Sequence, residues 1–141
     1  MPPLAEHPQT AASETKPAAI RAAMAKIANF CVQQRVDVSQ EKVAQAGVEV
    51  ALKAGGFEFK REYSLGPKDK PDFMIIQDGY NIVVEMKTRA QRIKIFKQIE
   101  RYTTHDSVDG VILLSGTAMG LPESINGKPA LFASLGRGWL R

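Results

Sequence analysis

The chain has 141 residues, 44% of them hydrophobic and 24% charged, with 19 Lys and Arg against 15 Asp and Glu for a net charge of +4. This is the composition of one globular domain able to bury its own core, and it excludes a disordered chain, a collagen-like fibre and a coiled coil. The strongly apolar runs are no longer than stretches such as Val111–Leu114, far short of a bilayer span, so no membrane association is expected. The single cysteine, Cys31, has no internal partner, and Met1-Pro2-Pro3-Leu4-Ala5-Glu6 lacks the basic and apolar regions of a secretory signal. Both features point to the reducing cytoplasm. The positive balance permits a polyanionic partner without specifying one.

Residues 1–16 are rich in Pro, Ala, Thr and Ser without a period and read as a mobile tail, leaving 17–141 as a single domain. Ile20, Met24, Ile27 and Cys31 recur at helical spacing, which predicts a helix from Pro17 to about Gln34. A second helix starts at Asp37 or Ser39, either a good N-cap, and stops at Gly55-Gly56. From Phe57 the period becomes two and predicts a strand to Tyr63, broken by Gly66-Pro67. Phe73–Ile76 and Ile82–Lys87 form a strand pair around Asp78-Gly79, a strong hairpin-turn dipeptide. Residues from Ala90 to Thr104 are helical, with Ile93, Phe96 and Ile99 as the apolar stripe. Val108–Ser115 is a buried strand, Gly116–Gly127 a loop, and Pro129–Leu135 a last strand after the Asn126-Gly127 turn. The order is that of an α/β fold with a small mixed central sheet flanked by helices.

The chemistry concentrates in Pro71-Asp72 and Glu85-Met86-Lys87. Residues two apart on a strand share a face, so Glu85 and Lys87 point the same way. A two-residue Asp78-Gly79 loop pairs Gln77 with Tyr80 and therefore sets Asp72 directly opposite Glu85. A four-residue loop would instead place Asp72 opposite Lys87, and a three-residue loop would break the arrangement. Two facing carboxylates repel unless a cation lies between them or one takes a proton. Their oxygens suit Mg²⁺ or Mn²⁺, and a lysine one strand step away can orient an attacking water and stabilise charge growing on phosphorus.

Pro71-Asp72…Glu85-Met86-Lys87, on a hairpin between two helices, resembles the PD-(D/E)XK nuclease superfamily. The element order from Gln40 to Ser115 matches that family's αβββαβ restriction-endonuclease-like core. Size and order are most similar to Holliday-junction-resolvase-like and VRR-type small nucleases, including phage ones. The resemblance implies a Mg²⁺-dependent deoxyribonuclease, structure-selective and homodimeric, acting in DNA recombination, repair or phage DNA processing. Asp72, Glu85 and the Met86 backbone carbonyl would bind the metal and Lys87 would position the nucleophile. Glu49 sits where many members carry an extra acid, for the metal or to orient Lys87. Gln98 and Tyr102 read as the QxxxY motif of some branches, for a metal-site group, a phosphate or a base.

Bland readings compete with each assignment. Asp72 and Glu85 can be exposed strand acids with Lys87 blunting an edge, although Glu85 directly follows the apolar Ile82-Val83-Val84. Glu49 shares a polar stripe with Lys42, Gln45 and Lys53, as a solvated helix face would. Tyr102 can pack beside Ile99 with its hydroxyl in water. Lys94, Lys97 and Arg101, flanked by Arg89 and Arg92, form a solvated stripe or a sequence-blind track for a phosphate backbone. Lys60, Arg61, Lys68 and Lys70 can add a second rim. Two isolated histidines and one cysteine argue against zinc. A catalytically idle nuclease-fold module within a larger DNA-processing complex is the alternative function, with a coincidental motif behind it.

Overall fold

The computed structural model describes residues 2–88, 92–116 and 119–135, with side chains from Lys16 onward. It is an α/β fold: a six-stranded mixed sheet with helices on both faces. Helix α1 (Pro2–Val32) begins well before Pro17. The helix thus runs through residues 2–16, which the sequence reads as a mobile tail; the side chains of residues 2–15 lie outside the described residues. Ile20, Met24, Ile27 and Cys31 are all buried, as their spacing requires, and burial pushes the Cys31 thiol up to about 12. Helix α2 (Glu41–Ala54) starts later than expected, after Gln40. Asp37 does not cap it, because its Oδ1 accepts the Ser39 N–H at 2.9 Å in a local turn. Its buried face is Ala44, Val48 and Leu52, and Gly56 at φ +77° turns the chain out.

Strands β1 (Glu58–Arg61), β2 (Phe73–Gln77) and β3 (Tyr80–Lys87) form an antiparallel meander. Asp78 and Gly79 have φ of +54° and +82°, the signature of the two-residue type I′ loop. Gln77 pairs with Tyr80 and Phe73 with Val84, so the register is the one the two-residue loop dictates. Gly79→Val places a β-branched side chain where the left-handed conformation costs it about 1–2 kcal/mol. Urea unfolding should show a loss of that size, and an unchanged midpoint would mean that the turn does not hold the register.

Helix α3 (Arg92–Thr103) then leads to β4 (Gly110–Ser115), which lies parallel to β3. A second hairpin closes the sheet: β5 (Ser124–Ile125) and β6 (Lys128–Ser134) meet at Asn126-Gly127, again with both φ positive. The strand order is β1-β2-β3-β4-β6-β5. All six residues of β4 are buried because parallel neighbours flank it and helices cover both its faces. On one face α1 and α2 pack on Phe73, Ile75, Ile82, Val84, Met86, Ile112 and Leu114. On the other, α3 packs on Met74, Val83, Val111 and Leu113.

The α3 stripe differs from expectation. Ile95, Ile99, Tyr102 and Thr103 face the sheet, while Ile93 is 71% exposed. The sequence offers two overlapping apolar stripes that share Ile99, and the sheet selects the one that brings Tyr102 inward. Among the described residues no helix is long and apolar enough to cross a membrane.

Candidate functional site

The register continues one step past Phe73 and Val84, and Asp72 meets Glu85 at the end of the hairpin. The Asp72 backbone N–H donates to Glu85 Oε1 at 3.2 Å. In the other direction, the Met86 N–H donates to Asp72 Oδ2 at 2.8 Å. Lys87 Nζ lies 3.4 Å from Glu85 Oε2. The three side chains of the motif therefore share one small volume at the C-terminal end of β3.

Backbone geometry adds a further acceptor. The N–H and C=O of one strand residue point to the same side, so the Met86 carbonyl faces the position opposite it, which is Pro71. Proline has no N–H to give that carbonyl. The sequence Pro71-Asp72 thus supplies an acid and withholds a ladder donor at the same spot.

Glu85 is 3% exposed. Burial, and then the neighbouring Asp72 charge, push its pKa up to about 7, while Lys87, the Asp72 N–H and the Tyr102 hydroxyl pull it back. Asp72 is also raised, chiefly by burial, with Glu41 adding repulsion and the Met86 N–H, Lys87 and Arg61 opposing it. Lys87 and, behind Asp72, Arg61 face the buried Glu85, the half-buried Asp72 and the nearby Glu41 and Glu49, so the pocket is short of positive charge.

Hard oxygen donors with spare lone pairs and a charge deficit fit Mg²⁺ or Mn²⁺. Among the described residues no group of three or more His, Cys, Asp or Glu is arranged to hold a metal. An ion held by Asp72, Glu85 and a carbonyl would therefore keep several waters, as Mg²⁺ commonly does.

The supporting shell comes from both helices. Tyr102 is fully buried and its hydroxyl donates to Glu85 Oε1 at 3.1 Å, so the hydroxyl is not in water. Burial and then Glu85 raise the Tyr102 pKa, which keeps it a donor, and Gln98 hydrogen-bonds the same side chain. On α2, Gln45 Nε2 donates to Asp72 Oδ1 at 3.1 Å. Its Oε1 accepts from Arg61 Nη2 at 3.3 Å.

Glu49 is not brought to Lys87. It pairs with Arg61 Nη1 at 3.0 Å and with Lys53 at 3.7 Å, and it reaches Asp72 only through Arg61 and Gln45. The acid that α2 brings to Lys87 is Glu41, at 3.9 Å. Glu41, Gln45 and Arg61 do not belong to the site expected from the motif. The four-residue spacing of Glu41, Gln45 and Glu49, which puts them on one helix face, is the signal that points to the first two. Arg61 is not on a basic rim, since its guanidinium turns inward, 4.8 Å from the Phe73 ring.

Lys94, Lys97 and Arg92 are exposed along α3, as expected of the basic stripe. Arg101 is exposed too, but its Nε is 3.0 Å from Asp69 Oδ1. Arg89 lies outside the described residues. His105 is no ligand candidate: its Nε2 lies 2.8 Å from Asp69 Oδ2, which ties the loop before Asp72 to the end of α3. A cavity of about 340 Å³, lined by Lys16, Val108, Asp109 and Lys128, opens near the opposite end of β4.

No protein-family model matches the chain, and no curated protein or solved structure matches it either.

Proposed function

We propose that this protein is a divalent-metal-dependent DNA nuclease that hydrolyses phosphodiester bonds. The observation that carries the reading is the convergence of Asp72, Glu85 and Lys87 on one partly buried pocket short of positive charge. The run α2-β1-β2-β3-α3-β4 supports it, because it is the helix, three strands, helix, strand order of a PD-(D/E)XK core.

Asp72, Glu85 and the Met86 carbonyl are the groups that would hold Mg²⁺ or Mn²⁺. When bound, such an ion supplies a more acidic water and a positive charge beside the scissile phosphate. The chain's own groups set the geometry. Lys87 orients the water and meets negative charge developing on phosphorus. Glu41 and Glu85 hold its ammonium from two sides. Tyr102 and Gln98 fix Glu85, while Gln45, held by Arg61 and Glu49, fixes Asp72. Lys94, Lys97 and Arg92 give sequence-blind, salt-sensitive contacts to the phosphate backbone. Cleavage of both strands calls for two such sites and hence a homodimer. A structure-selective endonuclease of recombination or repair is the form of the activity that the resemblance favours.

The test is incubation with supercoiled and branched DNA in Mg²⁺ or Mn²⁺. Cutting that EDTA abolishes is the expected result. Binding without cutting under either ion would favour the idle module, a reading helped by the donors that already engage both carboxylates. No binding at low salt would remove both.

A further inference from the structure

A groove of about 170 Å³, lined by Lys60, Tyr63, Met74, Ile76, Asn81 and Ser107, lies on the α3 side of the sheet. That is the side Glu85 faces, since Glu85 and Asn81 share strand parity with Val83. Met74 and Ile76 are two and four residues along β2 from Asp72, roughly 7 and 13 Å. At roughly 3.4 Å per step of a stacked strand, that is the reach of at most the next two to four nucleotides, and of fewer in an unpaired strand, whose backbone extends further per step.

Tyr63 is there because the backbone is bent to put it there. Arg61 packs on Phe73, on the α1–α2 side, and in a continued strand Tyr63 would share that side. Glu62 instead takes φ +49°, rare for a residue with a side chain, and its N–H is held by the Asp72 carbonyl at 2.9 Å. β1 ends at Arg61 for this reason, not at Tyr63 as the alternation predicts. The turn carries Tyr63 across to the groove, 38% exposed, with the Lys60 ammonium 5.3 Å from its ring centroid. Strain of this kind persists where surrounding contacts enforce it, and here it presents an aromatic ring beside the candidate cutting site. The following loop is anchored as well, by Leu65 N–H to the Asp69 carbonyl and by Asp69 to Arg101 and His105.

The wall chemistry is specific. An aromatic ring offers stacking, Met74 and Ile76 offer an apolar floor, and Lys60 offers a cation for phosphate. Asn81 Nδ2 donates one hydrogen to the Ser107 carbonyl, which leaves its second N–H and its carbonyl oxygen for a base edge. We propose that this groove receives an unpaired nucleobase, stacked on Tyr63, from the strand that lies in the Asp72–Glu85–Lys87 site. A base within a continuous duplex has its faces covered by its neighbours, whereas an unpaired base does not. The substrate class is therefore DNA with single-stranded nucleotides a few positions from the cut. The inference rests on the nuclease reading for its setting, but its test does not use cleavage.

In EDTA, binding of a single-stranded oligonucleotide carrying 2-aminopurine is compared with binding of a blunt duplex of the same sequence. The single strand should bind at least about tenfold more tightly and its fluorescence should be quenched. Tyr63→Ala should weaken single-strand binding by about 5- to 100-fold, leave duplex binding within about twofold, and abolish the quench. Tyr63→Phe, which keeps the ring, should retain both. A matched RNA strand shows which sugar the groove accepts, and Tyr63-dependent quenching by either strand supports the groove. Equal binding of single strand and duplex, or a Tyr63→Ala variant indistinguishable from wild type, overturns it. If DNA is cut yet Tyr63→Ala changes nothing, the groove falls and the nuclease stands. Tyr63-dependent binding without cutting under any divalent ion leaves the groove and removes the nuclease.

Discussion

Lys87→Ala is expected to lower DNA cutting by two to four orders of magnitude while DNA affinity stays within about twofold. The Lys87 side chain is 22% exposed and its ammonium is held between Glu85 and Glu41, so it is positioned before any substrate arrives. Removing it deletes the cation that meets the two carboxylates at the motif, the group we propose orients water and answers charge on phosphorus. In the proposed reading backbone binding falls to other residues, the exposed Lys94, Lys97 and Arg92, and should survive. Gel-shift affinity and plasmid relaxation, measured on one preparation, separate the two effects. Cutting at the wild-type rate by Lys87→Ala would remove Lys87 from the chemistry and take the proposed mechanism with it.

The second large effect is on stability. Glu85→Gln should raise the melting temperature of the metal-free protein at pH 8 by roughly 5–10 °C. In the folded chain the Glu85 pKa is raised, by burial and then by Asp72, to about 7, against 4.5 for an ordinary glutamate. The folded state therefore binds that proton more tightly than the unfolded state. Stability falls as pH rises from about 4.5 to about 7, because the folded chain must then keep a buried charge. Above that window the penalty is complete, on the order of 3 kcal/mol. The amide removes the charge yet keeps an oxygen for the Tyr102 and Asp72 donors. Its advantage should shrink toward zero at pH 5, where Glu85 is itself protonated. Mn²⁺ should raise the wild-type melting temperature and leave the variant nearly unmoved. A variant less stable than wild type at pH 8 in EDTA would mean that the carboxylate is a structural element of the fold.

Lys87 and Glu85 are legible in the sequence because the constraints that place them act at short range. Asp78-Gly79 favours one turn type, that turn imposes one register, and the register pairs Asp72 with Glu85 across a hairpin of sixteen residues, 72–87. Lys87 follows from the period of the strand. The supporting residues are less legible. Glu49 and Glu41 lie on the same face of α2, and only the way that helix is laid along β1 and β3 decides which of them reaches Lys87. Arg61 reads as a surface charge because nothing local reveals that Glu49, Gln45 and the Phe73 ring surround it. Tyr63 reads as the end of a strand because a left-handed Glu62 has no sequence signature.

What the sequence determined alone is whatever nearest neighbours decide: the helical spacing of Ile20, Met24, Ile27 and Cys31, the Asp78-Gly79 and Asn126-Gly127 turns, the α/β element order, and the face shared by Glu85 and Lys87. What only the tertiary structure decided is the rotation of each helix about its axis. In α3 the stripes Ile93-Phe96-Ile99 and Ile95-Ile99-Tyr102 are close to equal in apolar content. The choice between them is the sum of many weak contacts with Met74, Val83 and Leu113, together with one hydroxyl reaching a buried carboxylate. Local sequence specifies a backbone turn because steric limits act within a few residues, whereas a helix's azimuth depends on surfaces that exist only once the sheet has formed.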